Sequence, residues 1–155
     1  MPKITISDIT DSGFRAEQFP PAPDFLAATA GYLARVIALA EATARTRVGS
    51  TAYDGATVTS SVAYYRLHRA ELNLAKAELW RRRAAFVDGN AAHSSDQSEY
   101  LNRREYLAHA RECDELADAA IAEFIAGGDG PATGLMADFS LGVVESGRFT
   151  ATVVS

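Results

Sequence analysis

One cysteine, Cys113, stands in this chain of 155 residues, which rules out an internal disulfide and fits a reducing compartment. Lysine is almost missing as well. Only Lys3 and Lys76 occur, and arginine supplies the rest of the 15 basic side chains. A guanidinium is weakly hydrated and pairs bidentately with carboxylates, so this bias suits interfaces, although a GC-rich genome produces it too. No apolar run approaches the ~20 residues needed to span a bilayer. The opening MPKITISDIT has neither a charged leader nor an apolar core, so no signal peptide is expected and the chain is expected to be soluble and made inside a cell. The three histidines, His68, His93 and His109, are scattered, and no HExxH, CxxC or His-plus-carboxylate spacing occurs. No metal ligand set, cofactor motif or convergent pair of titratable groups is therefore read, and the chain is not expected to be an enzyme. A net charge of −5 gives no reason to expect binding to nucleic acid over the whole surface.

What the chain has in abundance is helix. Ser60 to Val87 contains neither proline nor glycine and is rich in Ala, Leu, Glu and Arg, which lose little rotamer freedom in a helix. Val62, Tyr65, Leu72, Leu79 and Phe86 recur at helical spacing, widened by Leu67, Leu74 and Ala77. Ser60 or Ser61 is a candidate cap and Gly89 a candidate stop. Before it, a helix is expected from Asp24 to Val48, ended by Gly49, with Gly31 marking a close backbone approach. After it, a third is expected from near Asp96 to Ala126, with Asp96 and Glu99 at capping-box spacing and Tyr100, Leu107, Ala110, Ala117, Ile121 and Phe124 inward. Gly49–Thr59 and Asp88–Ser95 read as connections, the first with an Asp54-Gly55 turn and Tyr53 as an anchor.

The ends read differently. Lys3–Ile9 alternates apolar and polar residues like a short strand, and Phe14 and Phe19 are expected to pin the proline-bearing segment behind it. After Gly127 the linker GGDGPATG leads to an apolar, β-branched tail in which Phe149, Ala151 and Val153 alternate with Thr150, Thr152 and Val154. The fold class expected is mainly α, with three long helices in an antiparallel bundle and extended or β-strand terminal arms. Its parts are an extended arm over 1–23, the bundle over 24–126, and a linker with β-rich tail over 127–155.

Two surfaces stand out. Trp80-Arg81-Arg82-Arg83 is a candidate interface anchor or phosphate contact, against the plainer role of compensating a helix C-terminus. Charge is also divided unequally. Ser60–Val87 holds six basic residues against two acids, +4, whereas Asp96–Ala126 holds three against eight, −5. Part of this should pair within the subunit, and copies in a ring could pair the rest edge to edge. Cys113, among alanines and acids, reads as a small core residue with a raised thiol pKa.

The arrangement of ARTRVGSTAYDG, then YRLHRAELNLAKAELWRRRAAF, a polar loop and a last helix resembles the head–tail adaptor (connector) proteins of tailed bacteriophages. The resemblance covers roughly residues 24–126 and rests on RVG-x-x-Y-D and AELWRRRAA. It implies a virion protein of the head–tail interface, made in the host cytoplasm. Such a protein forms a ring, commonly a dodecamer, under the portal, extends the DNA channel without sequence recognition or catalysis, and receives the next neck or tail protein. Within that implication the tail residues Phe149, Ala151 and Val153, and Trp80 to Arg83, are candidate subunit or portal contacts. Glu112, Glu115 and Asp118 are candidate channel-facing groups, because an acidic lumen lets DNA slide. The competing readings are a helical nucleic-acid-binding regulator using Trp80–Arg83, a small enzyme with a site in the bundle core, and a generic helical interaction module.

Overall fold

The computed structural model describes residues 1–19, 24–91 and 97–127. These are mainly helical, with five α-helices of which three are long, and no strand occurs among them. The elements are α1 (Ile6–Asp11), a single 3-10 turn (Ala16–Gln18), α2 (Tyr32–Val48), α3 (Ser50–Gly55), α4 (Val62–Ala91) and α5 (Gln97–Ala126).

The expected strand at Lys3–Ile9 is not present; α1 occupies most of it. Thr5 is the N-cap and forms a capping box with Asp8. The Asp8 N–H donates to Thr5 Oγ1 at 3.4 Å, and the Thr5 N–H donates to Asp8 Oδ2 at 2.7 Å. Two reciprocal bonds to otherwise orphaned N–H groups outweigh a short alternation that has no partner strand. The segment is not a detached arm either. Ile4, Ile9, Phe14 and Phe19 are buried in the same cluster as Leu33, Leu67, Leu74 and Leu79 of the long helices. Phe14 and Phe19 do pin it, with Phe14 edge-on to Trp80 at 5.1 Å and Phe19 stacked on Phe25 at 5.6 Å.

Helix α2 begins at Tyr32, not Asp24. Asp24 and Ala30 hold φ of 60° and 58°, so residues 24–30 fold as turns and not as helix. Within them Phe25 is buried and stacks on Tyr32, while Leu26 is left exposed. Gly31 is the N-cap of α2, and the close approach expected there is to its own preceding turn. A Cβ at this position would lie 2.3 Å from the Ala27 carbonyl oxygen and 2.6 Å from that of Asp24. Both neighbours are backbone and cannot swing aside. Gly31→Ala should therefore cost about 2 kcal/mol, read as a lowered urea midpoint with unchanged m-value.

Gly49 closes α2 as expected, with φ at +87°. The chain bends there and re-enters helix at once as α3, which occupies the stretch expected as a turn. Arg45 spans the bend, 2.5 Å from Asp54, with its guanidinium 5.1 Å over the Tyr53 ring. Ser61 caps α4, accepting from the Tyr64 N–H at 3.1 Å. Helix α4 runs through Gly89 to Ala91, so the expected stop fails; a lone glycine costs only about 1 kcal/mol in a helix interior. The remainder of the expected loop, and the Asp96 cap, lie outside the described residues.

Helix α4 packs against both α2 and α5, and α5 touches α2 far less. Along α4 and α5 the contacts run in reversed order: Arg69 meets Glu123, Arg81 meets Asp114 and Arg83 meets Tyr106. Buried alanines on both helices, Ala70, Ala77 and Ala84 with Ala110, Ala117 and Ala120, permit close contact. Val62, Leu67, Leu74, Ala77 and Leu79 are buried as expected, but Tyr65 and Phe86 are exposed. A strict seven-residue repeat drifts ~20° per heptad around a straight helix, so the two ends of the 65–72–79–86 row rotate out of the core.

Candidate functional site

Trp80 lies half-buried in the middle of the molecule. Its ring meets Phe14 at 5.1 Å, Tyr106 at 5.5 Å and His109 at 5.0 Å, joining the N-terminal segment, α4 and α5. Arg83 lies over both rings, 4.9 Å from Trp80 and 4.4 Å from Tyr106, and donates to the Tyr106 hydroxyl at 3.0 Å. Arg82 bonds Glu78 one turn back at 2.7 Å and covers the Tyr32 ring at 5.4 Å. Arg81 pairs with Asp114 across the α4–α5 interface. Each of the three guanidiniums of the cluster is thus engaged inside the chain, and Trp80 is held by packing.

The acidic residues of α5 divide in the same way. Asp118 pairs with Arg47 of α2, and Glu123 lies 3.5 Å from Arg69. Glu112 lies 3.6 Å from His109 and is 69% exposed, and Glu115 is exposed. Phe149, Ala151 and Val153 lie outside the described residues.

Sequence reasoning missed the most buried polar group. Glu71, on α4, has no exposed surface. It accepts from the Tyr53 hydroxyl and, at 2.7 Å, from the Lys3 backbone N–H. The Tyr53 hydroxyl also lies 3.1 Å from the Met1 carbonyl, and the Lys3 ammonium donates to the Ala56 carbonyl at 2.7 Å while sitting 4.7 Å over the Tyr53 ring. Tyr64 closes the knot by donating to the Lys3 carbonyl at 3.1 Å. Burial raises the Glu71 carboxyl above its ordinary range, opposed by the hydrogen bonds from Tyr53 and Lys3; burial and Glu71 together raise the Tyr53 phenol. A perturbed carboxyl–phenol pair is a candidate for acid–base chemistry. Here both members are enclosed and occupied by partners, so the arrangement ties the N-terminal segment and α3 to α4.

An open groove of about 430 Å³ lies beside this knot, lined by Val48, Ala52, Ala56, Ala63, Phe124 and Ile125 together with Gly55 and Gly127. Every lining residue is apolar or glycine, and neither Tyr53 nor Glu71 is among them. Among the described residues no three His, Cys, Asp or Glu side chains are grouped to hold a metal, and no helix is long and apolar enough to cross a membrane. Cys113 is half-buried, and burial pushes its thiol up, as expected. Iodoacetamide at about pH 8 should alkylate it about tenfold more slowly than the unfolded chain, timed by mass spectrometry.

No protein-family model, curated protein or solved structure matches the chain. The stretch Arg45–Gly55, on which much of the resemblance to phage adaptors rests, is explained by local structure: a glycine bend, an Arg45–Asp54 bridge across it and the Tyr53 anchor.

Proposed function

We propose that this chain is a structural head–tail adaptor of a tailed bacteriophage, assembling as a ring under the portal, extending the DNA channel and receiving the next neck or tail protein. The observation that carries the reading is the division of charge on the α4–α5 pair. Arg69 and Arg81 of α4 are paired with α5 acids and Arg82 with Glu78, while Glu112 and Glu115 of α5 stay on the surface. Exposed carboxylates such as these, interrupted on α5 by the exposed Arg104 and Arg111, suit the wall of a channel through which DNA must slide. They also offer a surface to a basic edge on a portal or neighbouring subunit.

The three long helices form an antiparallel bundle in this reading, supported by the reversed order of contacts along α4 and α5. The C-terminal alternation around Phe149, Ala151 and Val153 serves as a strand added to another chain's sheet, where main-chain hydrogen bonds supply affinity and alternate side chains supply register. The mature location is the virion, reached after synthesis in the host cytoplasm. The alternative, a nucleic-acid-binding regulator using Trp80–Arg83, loses ground because those arginines already hold Asp114, Glu78 and the Tyr106 hydroxyl. Breaking such contacts to reach a phosphate would offset the gain.

The reading is tested by sedimentation across a salt series. A large species at low salt that dissociates at high salt is expected. A monomer that ignores salt, at concentrations spanning those in an infected cell, would contradict ring assembly through charge.

A further inference from the structure

The groove beside α3 is walled by apolar side chains and glycines, with the Arg66 guanidinium donating to the Gly127 carbonyl at its edge, and it opens to solvent at the end of the molecule where α5 terminates. Ile125, one of its walls, is 64% exposed, and Val58, two residues past the lining residue Ala56, is 61% exposed. A surface of this kind calls for an occupant. The chain itself supplies one by position. Gly127, where α5 ends, lines the groove, and 28 residues follow it, 128 to 155. The first seven, GDGPATG, contain three glycines and a proline and suit a reversal of direction. Next comes LMADFSL, with Leu135, Met136, Phe139 and Leu141.

We propose that the segment Leu135–Leu141 of the same chain seats in this groove and packs its apolar side chains against Ala63, Phe124 and Ile125. Reach is ample, because seven extended residues span about 24 Å. A linker this short also holds the segment at an effective concentration on the order of millimolar, above any concentration at which a second copy would be present. The volume lies within the range of sites that receive apolar groups. Two consequences follow. The root of the tail is fixed to the helical body, and the strand-like stretch around Phe149 is aimed from that end of the molecule. The inference goes beyond the adaptor reading and does not depend on it, since a lone monomer seats its own tail equally well.

The experiment is hydrogen–deuterium exchange on the full-length protein, followed in peptides covering 135–141, at two protein concentrations about tenfold apart. The wild type should exchange there about tenfold more slowly than an unstructured peptide of the same sequence, equally at both concentrations. Ile125→Glu places a charge in the groove wall at an exposed position and should remove that protection while α4 and α5 keep theirs. Met136→Asp should do the same from the tail side, without touching the helices. Absence of protection in the wild type, or protection that survives both substitutions, would overturn the proposal. Protection that appears only at the higher concentration would overturn it too, and would assign the groove to the tail of a second copy. Particle mass measured on the same samples reports ring formation separately, so failure here leaves the adaptor reading to its own test.

Discussion

Glu71→Ala should lower the free energy of unfolding by about 3 kcal/mol and loosen the N-terminal segment before the long helices yield. The carboxylate has no exposed surface and serves as common acceptor for the Tyr53 hydroxyl and the Lys3 backbone N–H. Alanine leaves the Lys3 N–H without its acceptor and the Tyr53 hydroxyl with the Met1 carbonyl alone, and an unsatisfied buried donor costs about 1–3 kcal/mol. Tyr53→Phe removes one donor and keeps the acceptor, so its cost should be smaller, about 1–2 kcal/mol. Chemical denaturation of the three proteins, with exchange at residues 3–11 as the local readout, gives the order.

The same group sets a dependence on pH. Burial lifts Glu71 above its ordinary value of 4.5, so the fold favours the protonated carboxyl. A raised carboxyl binds its proton in the folded state at a pH where the unfolded chain has lost it. Its contribution is therefore most favourable below the ordinary carboxylate range and diminishes as pH rises toward the folded pKa. The margin of wild type over Glu71→Gln should narrow as pH climbs through that window. Asp8 acts in the opposite sense. Burial works to raise its pKa, but hydrogen bonds from Thr5 and the nearby His68 prevail and lower it. Its stabilisation is present above the ordinary value of 3.8 and lost as pH falls. Asp8→Asn should accordingly flatten the acid limb that the wild type shows.

Trp80→Ala should destabilise by about 2–3 kcal/mol, at the lower end for a tryptophan because the ring is only half-buried. The loss is spread over three contacts, with Phe14, Tyr106 and His109, so the N-terminal segment and the α4–α5 pair loosen together. Arg83 loses the face it lies on as well. Trp80→Phe should recover most of the stability. A Trp80→Phe protein that folds normally yet fails to assemble would assign Trp80 a contact outside the chain. One that assembles normally would leave it a packing residue.

How far these features could be read from the residues depends on the range of the interactions that make them. Local signals were legible: the serine cap at Ser61, the glycine end at Gly49, the anchor at Tyr53 and the pinning by Phe14 and Phe19 are decided within a turn or by one large side chain. Helix α1 was legible too, because Thr5 and Asp8 have capping-box spacing, but the apolar alternation of Lys3–Ile9 pointed the other way. The late start of α2 was not legible, since neither Asp24 nor Ala30 announces a positive φ. Glu71 reads in sequence as one more acid on a helix. Its burial is decided by Lys3 and Tyr53, 68 and 18 residues away, which only the folded chain brings together. The arginine cluster shows the converse: its composition suggests an interface, and its partners Glu78 and Asp114 lie within the same chain.

The central claim is that this chain works by building an annulus with copies of itself at a portal vertex. Negative-stain electron microscopy of the purified full-length protein, alone and mixed with portal, tests it most directly. The account predicts rings with an open centre that seat on the portal; isolated particles under both conditions would contradict it.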